Sequence, residues 1–373
     1  MNEHLHSKEI IYISSISWDF SWHRQQEMMK YMSEHGFKIL FVEPCNKEHP
    51  FQRFFKQECE NVWRLHPCGF PYERCSRLIN IINGKMARTE IEEAARLLKF
   101  QSPILWLDRV HGLDFRYYQK GHFVVYDLID EILAFGRVKN SKMLLSLENQ
   151  VLKRADILLS SSQTLMNRKI KQSGRTGKSQ FLPNGVDCSR FSLEAKKVSQ
   201  QIPTIGFVGH ISRRSIDYNL VQSVAAARPD WTLLFVGPGT EEDKNALKEG
   251  FSNIVMQDPV SGTEVPRVIQ EFDIGMIPYN TEKEDMDYVF PRKACEYLAS
   301  GKPVISTRLR EIAVLEPYVS IADDADSFVY QVERILRTNV TAEQRREFCG
   351  QFDWNCLMKN MIDSIFTAGE GNE

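Results

Sequence analysis

No stretch of about 18 consecutive apolar residues occurs anywhere in this 373-residue chain, so a membrane-spanning helix is not expected. The opening residues, Met1 to Glu9, lack the apolar centre of a secretion signal, and the expected location is the cytoplasm. The eight cysteines include no Cys-x-x-Cys pair, which argues against a zinc site and against a disulfide framework. Reduced, mostly buried thiols are expected. No Asp-x-Asp falls at the end of a strand in the second half, since Asp324-Ala325-Asp326 reads as part of a late polar loop. No cofactor or divalent metal is therefore required, and no nucleic-acid partner is expected. There is no long repeat and no low-complexity tract.

What is present is the composition of a soluble globular protein, 42% hydrophobic and 26% charged, with length enough for two domains that each bury a core. The net charge of −2 hides an asymmetry: residues 1–187 carry 27 Lys/Arg against 21 Asp/Glu, and residues 188–373 carry 20 against 28. A basic first half suits contact with an anionic surface, either membrane lipid or an acidic glycan. Its best local candidate is the aromatic and basic run Phe51-Gln52-Arg53-Phe54-Phe55-Lys56, with an ordinary core-facing helix as the plainer alternative.

Short apolar runs bounded by turn signals alternate with longer amphipathic segments, the pattern of βα units around a parallel sheet. Strands are predicted at 10–14, 38–42, 104–107, 123–126 and 157–160, then at 204–208, 232–236, 254–256, 274–277 and 303–306. Helices are predicted at 23–35, 89–99, 142–155 and 163–172, then at 217–227, 241–248, 264–271, 292–300 and 326–337. Two such sets imply two doubly wound α/β domains facing a cleft. The hinge falls at Pro183-Asn184-Gly185-Val186-Asp187, followed by a polar linker, Glu194 to Gln201.

The segment Phe290-Pro291-Arg292-Lys293-Ala294-Cys295-Glu296-Tyr297-Leu298-Ala299-Ser300-Gly301-Lys302-Pro303-Val304-Ile305-Ser306 reads as a sharply bounded helix running into a buried strand. Proline suits the first helical position, Gly301 can supply a left-handed stop, and Pro303 prevents continuation. Lys293 and Glu296 share one face near a helix N-terminus, where unpaired N–H groups already favour an anion. The ammonium suits a diphosphate and the carboxylate suits vicinal ribose hydroxyls. An ordinary solvated surface pair is the alternative.

The pattern Pro-x-Lys-x-x-Glu-Tyr-Leu-Ala-x-Gly-Lys-Pro-Val-Ile resembles the nucleotide-binding helix of GT-B glycosyltransferases of the bacterial surface-polysaccharide type, near the teichuronic acid glycosyltransferases. In that family the Glu holds the ribose and the Lys lies near the pyrophosphate. The resemblance implies a GT-B fold: an acceptor-binding domain over 1–185, a nucleotide-sugar domain over 200–350, and a C-terminal helix, 351–373, packing back on the first domain. It also makes Leu182 to Asp187, with Phe191 after it, the domain junction.

Further donor contacts are expected along the second domain's strand ends. Thr204 to Arg214 is a strand and turn in which Gly209 brings backbone N–H groups to phosphate, beside His210. Arg213 or Arg214 can clamp the pyrophosphate, as the resemblance implies for one of them; exposed arginines of no function are the alternative. The loop ending at Val260 resembles the base-reading loop, Tyr279 can line the donor site or simply pack, and Arg292 stands at the helix start. Many retaining relatives place a Glu eight residues before the ribose Glu. Here that position is Tyr288, so an inverting reaction with an aspartate base from the first domain enters consideration.

Asp127 and Asp130, at the end of the strand 123–126, are the leading candidates for that base, with Glu131 third and helix capping the competing role for Asp130. The first loop, Ser14 to Gln26, is aromatic and hydroxyl-rich, suiting sugar stacking by Trp18 and Trp22 and polar contacts by Arg24, which could equally be a structural residue at the helix start. Asp19 and His23 are reserve bases. The expected activity is transfer of a sugar, UDP-linked, onto a surface glycan or lipid-linked saccharide. The rivals are a nucleotide-sugar 2-epimerase of the same architecture and a non-catalytic sugar-nucleotide-binding partner.

Overall fold

A computed structural model describes residues 7–20, 22–45, 49–118, 121–133, 140–193 and 202–367. The predicted linker at 194–201, most of the N-terminal segment and the last six residues lie outside the described residues. The chain divides into two compact units, residues 1–183 with 358–373, and residues 184–357.

The first unit is built on an eight-stranded sheet: β1 (Glu9–Ile13), β2 (Lys38–Val42), β3 (Phe54–Cys59), β4 (Val62–His66), β5 (Ile104–Leu107), β6 (Val124–Leu128), β7 (Ile157–Ser160) and β8 (Lys178–Phe181). Their order is β3-β4-β2-β1-β5-β6-β7-β8. All neighbours are parallel except β3 and β4. Central strands β1, β5 and β6 are apolar and buried over nearly their whole length, as a sheet covered on both faces requires. The aromatic and basic run at 51–56 is not a helix. Phe54 begins edge strand β3, where its ring stacks on His66 at 5.3 Å.

The second unit holds a six-stranded parallel sheet: β9 (Thr204–Val208), β10 (Thr232–Val236), β11 (Ile254–Gln257), β12 (Ile274–Ile277), β13 (Val304–Thr307) and β14 (Val319–Ala322), in the order β11-β10-β9-β12-β13-β14. Ile205, Phe207, Trp231, Phe235 and Ile274 anchor its core.

The chain passes between the units at Pro183–Asn184 and again at Leu357–Met358. Residues 350–357 remain in the second unit because the backbone N–H of Val186 donates to the Phe352 carbonyl at 3.0 Å and that of Trp354 donates to the Val186 carbonyl at 3.1 Å. In the first unit Met358, Met361 and Ile365 are buried, and the Ser364 hydroxyl meets Gln180 Oε1 at 2.5 Å. The expectation of mostly buried thiols fails: only Cys295 and Cys349 are buried, although none of the eight is in a disulfide.

Candidate functional site

In the second unit the chain runs from β9 outward to β11, then returns to the far side of β9 for β12 to β14, which opens a crevice at the carboxyl ends of β9 and β12. Gly209 follows β9 there, and Tyr279 follows β12. The helix Arg292–Ala299 connects β12 to β13 and brings Lys293 to the same point. Gly209 has φ +153°, and a Cβ on it would lie 2.3 Å from Lys293 Cε and 2.8 Å from Nζ. Glycine is needed here so that the lysine can cross the backbone. The ammonium sits 5.5 Å from the Phe207 ring centre and 6.0 Å from that of Tyr279, both within cation–π range. Burial works to lower the Lys293 pKa, yet Tyr279 and Glu296 prevail and hold it above its ordinary value.

Glu296 lies one turn further on, with its side chain 12% exposed, and its Oε1 accepts from Arg292 Nε at 2.8 Å. The ion pair formed on this helix is thus Arg292–Glu296, four apart, while Lys293 turns toward Gly209. Pro291 is the residue before the first helical turn and not its first member, since its ψ of 89° is not helical. Gly301, at φ +78°, supplies the left-handed stop: its N–H donates to Leu298 and the Lys302 N–H to Tyr297, both at 2.9 Å. One positioning contact escaped sequence reasoning. The Tyr297 hydroxyl accepts from the backbone N–H of Val208 at 3.0 Å and ties the helix to the end of β9.

The remaining donor candidates are more dispersed. His210, Arg213 and Arg214 are exposed on the loop after Gly209. The Arg213 backbone N–H donates to Asp243 at 3.1 Å, and its guanidinium lies 5.2 Å from the Tyr218 ring centre. Val260 is half-buried in the loop after edge strand β11. Tyr288 is buried in a short 3-10 turn.

In the first unit the corresponding crevice opens between β1 and β5, from which the sheet grows in opposite directions. It holds a carboxylate the sequence reading passed over, Asp108, just after β5. Its Oδ1 accepts from the Ser15 backbone N–H at 2.5 Å, and its Oδ2 accepts from the Ser15 hydroxyl at 3.0 Å and Gln25 Nε2 at 2.7 Å. Burial, reinforced by the Asp127 charge, pushes its carboxyl up to about 7 despite those donors. The only signal in the sequence was an aspartate directly after a buried strand. Its importance depends on strand order, which the sequence does not show.

Several first-unit candidates take other roles. Asp127 is fully buried and forms a two-point pair with Arg24, at 2.9 Å through Nε and 3.0 Å through Nη2. Arg24 Nη1 also donates to the carbonyls of Leu182 and Pro183 at 2.7 and 3.0 Å. Asp127 as base and Arg24 as acceptor ligand are both corrected: the pair is enclosed and holds the end of the first unit's chain. Trp18 is likewise core, 7% exposed and edge-on to Phe41 at 5.0 Å, so it cannot stack on a sugar. Asp19, its side chain 72% exposed, is engaged through one oxygen by buried Arg64 at 2.7 Å, an ion pair that disfavours it as a base. Glu131 pairs with buried Lys169 at 2.7 Å.

His23 is exposed immediately before the helix Arg24–Glu34, where its backbone N–H donates to Gln26 Oε1 at 3.0 Å. Trp22 is 39% exposed. Asp130 is exposed at the rim beyond β6, where desolvation by surrounding protein and the nearby Asp127 charge push its carboxyl up to about 6. Among the described residues no cluster of three or more His, Cys, Asp or Glu has the arrangement of a metal site.

Residues 202–338 match the family model described as glycosyl transferases group 1. The matched residues all fall within the second unit. TuaH of Bacillus subtilis (strain 168), named for glycosyl transfer in teichuronic acid biosynthesis, is 31% identical over 238 residues, covering 59% of this chain and 59% of TuaH. The match thus spans somewhat over half the length of that relative. Sucrose-phosphate synthase from Thermosynechococcus elongatus superposes with a TM-score of 0.73 at 14% identity, over 98% of this chain and 100% of that one. Anabaena Alr3699/HepE, solved with UDP, gives 0.65 at 14% identity, over 96% and 99%. The fold of the chain is GT-B.

Proposed function

We propose that this protein transfers a sugar from a nucleotide-sugar donor, UDP-linked, to a surface-polysaccharide or lipid-linked saccharide acceptor. The observation that carries the reading is Lys293, drawn across Gly209 at the crevice of the second sheet, with Glu296 one turn beyond it on the same helix. An ammonium held protonated beside backbone N–H groups suits a leaving diphosphate, and a half-buried carboxylate suits ribose hydroxyls. The UDP complex of HepE supports the choice of nucleotide.

In this reading Lys293 and the start of its helix neutralise charge as the glycosidic bond to diphosphate breaks. Tyr288 stands where many retaining relatives carry Glu, so we favour inversion, with Asp130 of the first unit as the base that accepts the acceptor hydroxyl's proton. Asp130 is preferred over Asp108 because it is exposed, whereas both oxygens of Asp108 are engaged by Ser15 and Gln25. Action at the cytoplasmic face of an anionic membrane fits the basic first half and the exposed Phe51 ring, packed edge-on to Phe70.

A thermal-shift screen against UDP, GDP, ADP and their sugar conjugates, with and without a divalent ion, tests the reading. A selective rise with UDP or a UDP-sugar is expected. No rise with any nucleotide overturns it and favours the non-catalytic alternative.

A further inference from the structure

A cavity of about 560 Å³ lies wholly within the first unit, between the helices Arg77–Leu97 and Ser141–Arg154 and the loop after β5. Nothing in the proposed transfer chemistry uses it. Its inner wall is apolar, formed by Val110, Leu113, Phe115, Met143, Leu147 and Val151. Its rim carries Arg77, Lys85, Arg116 and Lys142 against the single carboxylate of Asp114, and that carboxylate is already paired with Arg88 at 3.2 Å. Among the described residues no carboxylate pairs with Arg77, Lys85 or Lys142.

Both helices begin at this cavity, and their first turns contain no acidic residue. Cations occupy them instead, Arg77 in one and Lys142 in the other. A helix N-terminus already carries partial positive charge, so a cation there is unfavourable for the isolated helix and complements an external anion. Two such termini and four cationic side chains therefore face one opening. Ile81, which lines it, is 45% exposed, an apolar edge that water does not favour.

We infer that this cavity binds an anionic amphiphile, a phosphate monoester or diester carrying a long alkyl or isoprenoid chain, with the phosphate at the cationic rim and the chain against the apolar wall. That the amphiphile is the carrier of the sugar acceptor rests on the transferase reading; that the cavity takes a phosphorylated chain does not.

The test is calorimetric titration of the full chain with decyl phosphate, decanol and inorganic phosphate, each below any micelle concentration. Decyl phosphate is expected to bind once per chain, at least tenfold more tightly than either of the others. Combining Lys85→Glu with Lys142→Glu is expected to weaken it at least tenfold, and so is Ser146→Trp, which fills the opening from an exposed position. UDP affinity should be unchanged in both variants. Equal binding of decanol, equal binding of inorganic phosphate, indifference to both variants, or binding only to phosphatidylglycerol vesicles and not to decyl phosphate would each overturn the inference. Decyl phosphate binding without any nucleotide binding would sustain the cavity assignment and sink the transferase reading. The reverse result would do the opposite.

Discussion

Asp127 and Asp130 are three positions apart at the end of one strand, yet the fold gives them opposite work. Asp127 is enclosed against the Arg24 guanidinium, so replacing it by Ala leaves a buried cation without its counter-charge, a loss that costs about 3–5 kcal/mol. We expect Asp127→Ala to lower the denaturant midpoint of the first unit sharply, read by urea unfolding followed through tryptophan fluorescence. A small stability change with complete loss of turnover would instead restore Asp127 as the base. Asp130→Asn should abolish turnover and leave nucleotide affinity intact. Because a base works ionised, kcat/KM should rise with pH through a midpoint near 6, the value to which the Asp130 carboxyl is pushed. A midpoint near 7 would transfer the role to Asp108. The stability linkage has the opposite sense. Both carboxyls titrate above their unfolded value of 3.8, so as pH falls from about 8 toward 4 the folded chain takes up protons first and these two groups favour folding increasingly.

Elements were legible where burial leaves a pattern. Strands buried on both faces, such as β2, β5, β7, β9, β10 and β12, stand out as apolar runs, and their observed bounds are those expected from the sequence. Strands β8 and β14 were missed because each lies at a sheet edge and pairs on one side only. Lys178-Ser179-Gln180-Phe181 has no apolar run to detect. The β3–β4 hairpin was obscured by a register shift at Gln57 and Cys59, and by a turn whose left-handed residue is Asn61 and not glycine. The helix Arg77–Leu97 was expected only from residue 89, since Asn80, Asn83 and Gly84 interrupt its apolar periodicity although all three are buried. The stop at Gly301 was readable because only glycine takes φ +78° without cost. Gly301→Ala should therefore destabilise the second unit by about 1 kcal/mol for the backbone alone. The new methyl would also meet Ala342 Cβ at 2.8 Å, adding to the loss. A shift in the melting temperature of that unit checks this, and an unchanged value would mean that the helix ends without the left-handed turn.

At the scale of the molecule, the sequence pattern was enough to see two doubly wound units and the helix that carries Lys293 and Glu296. It was not enough to see which strand ends become crevices, because that follows from spatial strand order: β1 beside β5, and β9 beside β12. Asp108 was overlooked for this reason, and Trp18 was over-read because its burial against Phe41 is a tertiary fact. The division into units also makes stability and ligand binding separable. A nucleotide held by Lys293 and Glu296 should raise the melting transition of the second unit, while Asp127→Ala should lower that of the first and leave the nucleotide-induced shift in place. Glu296→Ala removes the proposed ribose acceptor and leaves the Arg292 guanidinium without the partner now 2.8 Å away. Losing charged hydrogen bonds of this kind costs about 1–3 kcal/mol, so UDP should bind roughly 5- to 150-fold more weakly. Differential scanning calorimetry of the two variants with and without UDP reads all of these at once. Unchanged UDP affinity in Glu296→Ala would remove the ribose from this helix, whatever the first unit does.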